Sequence, residues 1–192
     1  MGRPTRKDLI LEVAVRLFSE RGFHGTTIRE IAEAAGMLSG SLYAHIQTKE
    51  DLLYEVVMQA ADRFLGAIEP LVVADLPAAE KLRQAMIAHV EVVAASRAHA
   101  TVFMHEWKAL TPERRAEVAA RRKAYEQQLG QILTEGVRRG EFKPLDERMA
   151  RLLILSAVNW LYEWYDPTGP LSPSDVAERY WRLVLEGLQP RT

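Results

Sequence analysis

A short run of small, polar and aromatic residues near the N-terminus carries groups that can hydrogen-bond to nucleic acid. The run includes Ser39, Gly40, Ser41, Tyr43 and His45, and it contains no aspartate or glutamate. Hydroxyl, imidazole and backbone N–H groups donate to phosphate oxygens and base edges, and a surface without acids does not repel phosphate. The chemistry that these residues favour is therefore contact with DNA.

The residue patterns that mark catalytic and metal sites are absent from the sequence. The 192 residues include no cysteine, which excludes a disulfide framework, a thiolate zinc site and a cysteine nucleophile. No nucleophile elbow, phosphate loop, H-E-x-x-H motif or paired-carboxylate motif occurs. His99 and His105 are six residues apart, a poor match to one helical face. We therefore expect no catalytic residue, no metal and no cofactor.

Composition indicates a globular protein whose DNA contacts, if any, depend on local placement of charge. The formal net charge is −1, so the chain is not a basic, non-specific DNA binder. The N-terminal segment is basic, with Arg3, Arg6 and Lys7, but it lacks the apolar stretch of a signal peptide. We expect a cytoplasmic protein that does not enter a membrane.

The pattern of apolar residues predicts an all-α fold of about nine helices. Alternating β-branched segments are absent, and glycine, proline and capping residues punctuate the chain. The helices are predicted over residues 5–21, 28–35, 39–46, 49–68, 78–95, 101–110, 112–139, 147–165 and 173–188. Pro70 and Pro77 predict a break after the fourth helix. We expect a helix-turn-helix domain over residues 1–50 and a second domain, for effector binding and dimerisation, over 51–192.

The second and third predicted helices have the form of a helix-turn-helix. Thr27 and Glu30 form a capping box at the start of the second helix, and Gly36 ends it. The third helix is too short to be stable alone. Leu42 and Ile46 are predicted to face inward and anchor it, which leaves the acid-free residues of the run facing outward.

This segment resembles the TetR/AcrR family of transcriptional repressors. The resemblance covers residues 8–55 and is carried by Thr26-Thr27-Ile28-Arg29-Glu30-Ile31-Ala32, by Gly40-Ser41-Leu42-Tyr43-Ala44-His45, and by Thr48-Lys49-Glu50-Asp51-Leu52-Leu53. It implies a homodimer that binds a palindromic DNA operator and is released by a small-molecule effector. The residues that it implies for DNA contact are Thr27, Arg29, Ser39, Gly40, Ser41, Tyr43, His45 and Lys49. Leu38 departs from the family pattern and weakens the cap of the third helix or shifts it to Ser39.

The last two predicted helices are apolar around much of their circumference, so they must be buried on two sides. The simplest second cover is the same helix pair from another copy of the chain, in a two-fold interface. The family resemblance implies the same interface. The residues expected there are Leu152, Leu155, Tyr180, Trp181 and Val184.

Aromatic residues and methionines recur at helical spacing in the middle of the chain. Such residues usually form plain core, but the family resemblance implies that they enclose an effector pocket. The residues expected to line it are Phe64, Met86, His89, Phe103, Trp107, Tyr125, Trp160 and Trp164. The chain is also similar to members that sense acyl-CoA esters in fatty-acid, steroid or phenylacetate degradation. The similarity lies in Glu106-Trp107-Lys108, Glu113-Arg114-Arg115 and Arg121-Arg122-Lys123, followed by residues 160–165 and Pro167-Thr168-Gly169. Two alternatives stay open: an apolar or aromatic effector without CoA, and a helical small-molecule-binding protein without specific DNA binding.

Overall fold

The computed structural model describes residues 5–44 and 46–188, and within these ranges the chain is helical with no β-strand. A 3-10 helix covers Glu106–Ala109. The α-helices are α1 (Arg6–Arg21), α2 (Ile28–Ala34), α3 (Ser39–Leu42), α4 (Lys49–Val73), α5 (Ala78–Ala95), α6 (Arg97–His105), α7 (Pro112–Arg139), α8 (Glu147–Asn159), α9 (Leu161–Trp164) and α10 (Pro173–Leu188). The all-α prediction is confirmed.

The chain forms two compact units, and each unit combines two stretches that are separate in the sequence. The N-terminal unit contains the chain up to Ala61 together with Arg97–Ala119, and the C-terminal unit contains Asp62–Ser96 and the chain from Ala120 onward. The division of function after residue 50 stays a prediction, but the compact N-terminal unit is larger than residues 1–50. It gains the first part of α4, all of α6 and the start of α7.

The helix ends that carry strong local signals lie where the sequence predicts them. Thr48 and Asp51 form reciprocal hydrogen bonds before α4, with distances of 2.8 and 3.1 Å. Asp146 accepts a hydrogen bond from the backbone of Met149 at the start of α8, at 3.1 Å. These side chains satisfy backbone N–H groups that have no partner within the helix.

Three predicted helix boundaries are wrong. The predicted third helix ends at Leu42 rather than Ile46, and the predicted sixth begins at Arg97 and changes to 3-10 geometry after His105. The predicted eighth is divided at Trp160 into α8 and α9. The first of these differences has a local cause, because α3 contains a glycine and has no side-chain cap.

Pro70 does not end α4, which continues to Val73. A proline inside a helix removes one hydrogen bond, and its ring crowds the carbonyl group four residues earlier. That carbonyl belongs to Gly66, which lies within α4. The predicted break therefore lies after Val73, where residues 74–77 connect to α5.

A buried lysine joins the end of α4 to α5 and α7 in the C-terminal unit. Lys81 is almost completely buried, and its ammonium group donates to the carbonyl oxygen of Val72 at 3.0 Å and to the carboxylate of Glu135 at 2.9 Å. The Lys81 hydrogen bond lowers the pKa of Glu135. A cation at the C-terminal end of a helix also interacts favourably with the helix dipole. This contact fixes the end of a helix that its own proline weakens.

Candidate nucleic-acid interface and apolar core

The capping box of α2 is present as predicted. The Thr27 hydroxyl accepts from the Glu30 backbone N–H at 3.2 Å, and the Glu30 carboxylate accepts from the Thr27 backbone N–H at 2.8 Å. The Thr27 hydroxyl also donates to that carboxylate, which holds the pKa of Glu30 below its usual value. These bonds fix the start of α2 and leave Thr27 exposed at the surface.

The α2–α3 turn and the burial of α3 agree with the helix-turn-helix prediction. Gly36 has a φ of +66°, a left-handed conformation that glycine adopts without strain. Leu42 and Ile46 are buried, as predicted. Gly40, Ser41 and Tyr43 are exposed, and Ser39 is half-buried. His45 lies outside the described residues.

Leu38 is an exposed residue of this surface that is not among the DNA contacts predicted from the sequence. It stands at the N-cap of α3 with 80% of its surface exposed and makes no side-chain cap hydrogen bond. Its carbonyl oxygen accepts from the backbone of Ser41 at 2.9 Å, so the cap is weakened rather than shifted to Ser39. An apolar group at the tip of a reading helix is suited to contact a thymine methyl group. In the sequence, the feature that points to an exposed apolar contact here is a leucine followed by three small residues, Ser39, Gly40 and Ser41.

Two of the predicted phosphate contacts have protein partners in the structure. The guanidinium of Arg29 is exposed and lies 3.2 Å from the carboxylate of Glu33, one turn later on α2. Lys49 donates to the carbonyl oxygens of Phe23 and Thr26, both at 2.7 Å. Burial lowers the pKa of the Lys49 ammonium group. DNA contact by either residue stays a prediction, and for Lys49 it requires these two hydrogen bonds to be shared or broken.

The apolar core of the C-terminal unit contains a fully hydrogen-bonded histidine. Nδ1 of His89 lies 2.8 Å from the Tyr125 hydroxyl, and Nε2 lies 3.0 Å from the side-chain oxygen of Asn159. Because Asn159 offers an oxygen, Nε2 carries the proton and Nδ1 accepts from the tyrosine. Burial lowers the pKa of His89 to about 4 and raises the pKa of Tyr125, so the imidazole is neutral and the phenol protonated near pH 7.

The predicted effector residues do not form one set. Phe64, Met86, His89 and Tyr125 are buried in the C-terminal unit, and the ring centroids of Phe64 and His89 are 4.7 Å apart. Phe103 and Trp107 belong to the N-terminal unit. Trp160 and Trp164 have 58% and 43% of their surfaces exposed, so the expectation that they line an enclosed pocket is not supported. The break after α8 explains this, since α8 and α9 do not form one continuous helical face.

The predicted dimer residues divide into buried and open positions. Leu155 and Trp181 are buried within the C-terminal unit, in which α8 and α10 both contact α5, so little of either side chain is left for a partner to cover. Tyr180 and Val184 line an apolar groove of about 330 Å³ between α8 and α10. The other residues that line it are Ala150, Leu153, Ile154, Ala157, Leu183, Gly187 and Leu188. Leu152 is exposed outside the groove.

Two family profiles match the chain. The profile described as bacterial regulatory proteins of the tetR family matches residues 10–56, and that of the tetracyclin repressor-like C-terminal domain matches residues 75–188. The chain belongs to the TetR family. It is thus a DNA-binding transcriptional regulator, and members of the TetR family bind DNA operators and small-molecule effectors.

Relatives within the TetR family cover nearly the whole chain. The transcriptional repressor KstR2 of Mycolicibacterium smegmatis is 33% identical over 96% of this chain and 91% of its own length. The ketosteroid regulator KstR2 of Mycobacterium tuberculosis has a TM-score of 0.93 at 29% identity, with 99% of this chain and 98% of that chain covered. AibR, in complex with isovaleryl coenzyme A and operator DNA, has a TM-score of 0.84 at 32% identity, with coverages of 93% and 97%.

No group of three or more His, Cys, Asp or Glu side chains among residues 5–44 and 46–188 is arranged to hold a metal ion. In the same part of the chain, no helix is both long and apolar enough to span a membrane.

Proposed function

We propose that this TetR-family protein is a repressor that binds a palindromic operator as a homodimer and leaves it when a small molecule, favoured as an acyl-CoA ester, binds the C-terminal unit. The observation that carries the proposal is the geometry of α3. Leu42 in α3 and Ile46 shortly after it are buried, while the acid-free surface of Gly40, Ser41 and Tyr43 is exposed. That surface can approach the DNA backbone closely.

DNA binding in this proposal uses Thr27, Arg29, Ser39, Gly40, Ser41, Tyr43, His45 and Lys49, with Leu38 added from the structure. The small side chains give few bidentate contacts to bases, so sequence preference depends on Leu38, Arg29 and DNA shape together. Replacing Tyr43 by alanine should weaken operator binding roughly tenfold without unfolding, since a hydrogen bond to a charged phosphate is worth about 1.5–3 kcal/mol. Unchanged affinity would mean that α3 is oriented differently on DNA.

The homodimer is supported by the open apolar faces of α8 and α10. Ala150, Leu153 and Ala157 repeat along α8, and Leu183 and Gly187 repeat along α10. Leu153 and Leu183 have 68% and 69% of their surfaces exposed. Small residues beside large ones let two helix pairs approach and interdigitate. A two-fold axis through this groove buries the same face of both copies.

The dimer is tested by placing a charge in the groove. Leu183→Glu should give monomers in analytical ultracentrifugation. It should also weaken operator binding, because a monomer binds only one half-site of the operator. Val73→Glu is the matched control, since Val73 is an exposed apolar residue at the end of α4, away from α8 and α10 in the sequence. A Leu183→Glu protein that sediments as a dimer would contradict this interface.

The acyl-CoA effector is supported by the relatives and by the nature of the core. AibR binds isovaleryl coenzyme A, and KstR2 is a ketosteroid regulator. The C-terminal unit of this chain buries Phe64, Met86, His89 and Tyr125 together. Apolar and aromatic side chains suit an acyl group, and basic side chains suit the phosphates of CoA.

Effector binding is tested by calorimetry and by operator release. Isovaleryl-CoA, a steroid-ring CoA thioester, free CoA and the matching free acids are compared on the same protein. An effector should lower operator affinity by about 5–150-fold, the usual range of allosteric coupling. Release by the free acid alone would favour an effector without CoA. Failure of the apo protein to bind any selected DNA would favour a helical ligand-binding protein instead.

A further inference from the structure

The turn between α1 and α2 is held by side chains that are distant in the sequence. Its central residue, Phe23, is buried, and its backbone N–H donates to a carboxylate oxygen of Glu106 at 2.7 Å. Glu106 begins the 3-10 helix after α6, 83 residues further along the chain. A buried backbone N–H needs a partner, and Glu106 supplies it from outside the turn.

The carbonyl side of the same residue is held by a cation. The Lys49 ammonium group donates to the Phe23 carbonyl oxygen at 2.7 Å and lies 4.2 Å from the centroid of the Phe23 ring. The Phe23 peptide groups are therefore held between a carboxylate and an ammonium group. We call Glu106, Phe23 and Lys49 the turn clamp.

The turn has little freedom to form in another way. Gly22 has a φ of +74°, and a Cβ at Gly25 would overlap the carbonyl oxygen of Arg21. The buried Thr26 hydroxyl donates to the carbonyl oxygens of Leu17 and Gly22 at 3.2 and 2.9 Å. The next residue caps α2, so the clamp sets where the helix-turn-helix begins relative to α1.

We propose that Glu106 is a positioning residue for operator binding. Its carboxylate holds the α1–α2 turn in the arrangement that places α2 and α3 on DNA, and movement of the 3-10 helix away from Phe23 lowers operator affinity. The inference rests on the proposed function. It names the contact through which the segment between α5 and α7 controls the helix-turn-helix.

The experiment compares Glu106→Ala and Glu106→Gln with wild type on an operator selected from random DNA by the wild-type protein. The alanine variant should lose about tenfold or more in affinity, measured by fluorescence anisotropy far below its melting temperature, since hydrogen bonds to charged groups are strong. Glutamine keeps an oxygen that accepts from Phe23, so it should recover affinity to within a few-fold of wild type. Glu113→Ala, which removes an exposed acid in the first turn of α7, is the control and should bind as wild type does.

A second measurement uses the wild-type protein alone. Hydrogen exchange of the Phe23 amide should slow when operator is added, because DNA binding selects the clamped turn. If operator does not change the exchange rate of the Phe23 amide, the proposal is overturned. It is also overturned if a folded Glu106→Ala protein binds the operator as tightly as wild type. Wild-type protein that selects no DNA would instead contradict the proposed function itself.

Discussion

Replacing His89 should remove a defined part of the pH dependence of folding. His89 is buried with both ring nitrogens hydrogen-bonded, and its pKa is about 4, whereas the pKa of a histidine in the unfolded chain is about 6.5. As pH falls through 6.5, the unfolded chain takes up a proton that the folded protein does not bind. The stabilisation is therefore complete above pH 6.5, is lost as pH falls, and stops changing below about pH 4.

The size of the effect follows from the two pKa values. Over the full window the shift corresponds to about 3 kcal/mol, and between pH 8 and pH 5 wild type should lose about 2 kcal/mol through this group. His89→Gln does not titrate there and escapes this loss. Its constant cost from altered packing is the same at both pH values and cancels from the comparison.

The assay is urea unfolding of wild type and His89→Gln at pH 8 and pH 5, at one protein concentration. The difference between their unfolding free energies should shrink by about 2 kcal/mol at the lower pH. His89→Phe should show the same change, since the effect comes from the proton and not from the replacement. A difference that stays constant between the two pH values would refute the assignment of a buried, neutral His89.

Three other substitutions test the packing and the DNA surface. Lys81→Met removes the donor to the Glu135 carboxylate and should lower the free energy of unfolding by about 2 kcal/mol in urea, and an unchanged midpoint would contradict the buried pair. Gly136→Ala should destabilise by about 1–3 kcal/mol because its Cβ would overlap the Phe142 ring, whereas Gly66→Ala, in open space on α4, should stabilise by up to about 1 kcal/mol. Leu38→Ala should weaken binding to the selected operator by about tenfold or less and leave affinity for random DNA unchanged. An equal loss of affinity for the operator and for random DNA would contradict this prediction.

Much of the fold could be predicted from the sequence because its signals are local. Capping residues such as Thr27, Thr48 and Asp146 act within three residues of their own position, so a short window of sequence contains the whole interaction. The starts and ends of α5 and α7 also lie where the sequence predicts them, although α5 has no side-chain cap. The prediction that Pro70 ends α4 follows the general rule that proline interrupts helices, and it is wrong because α4 continues through Pro70 to Val73.

The predictions that the structure does not support depend on contacts between segments that are distant in the sequence. The sequence of a helix that is apolar on several sides does not indicate which side packs against its own core. Trp181 is predicted at an interface but is buried, and Trp160 is predicted to line a pocket but is exposed. Glu106 and Lys49 have no motif that links them to Phe23. Ordinary charged residues of this kind acquire a role only when the fold brings them together.

The N-terminal unit includes residues from two parts of the chain, and this limits how the regulator can be re-engineered. A designer who exchanges DNA specificity by joining residues 1–50 to another effector domain would leave behind Glu106, which holds Phe23, and Arg114, which pairs with Glu50 at 3.5 Å. A chimera that also transfers residues 97–119 keeps these partners together. The transferable reading module of this protein is therefore two separate stretches of chain, and recombination at a single crossover point would not preserve it.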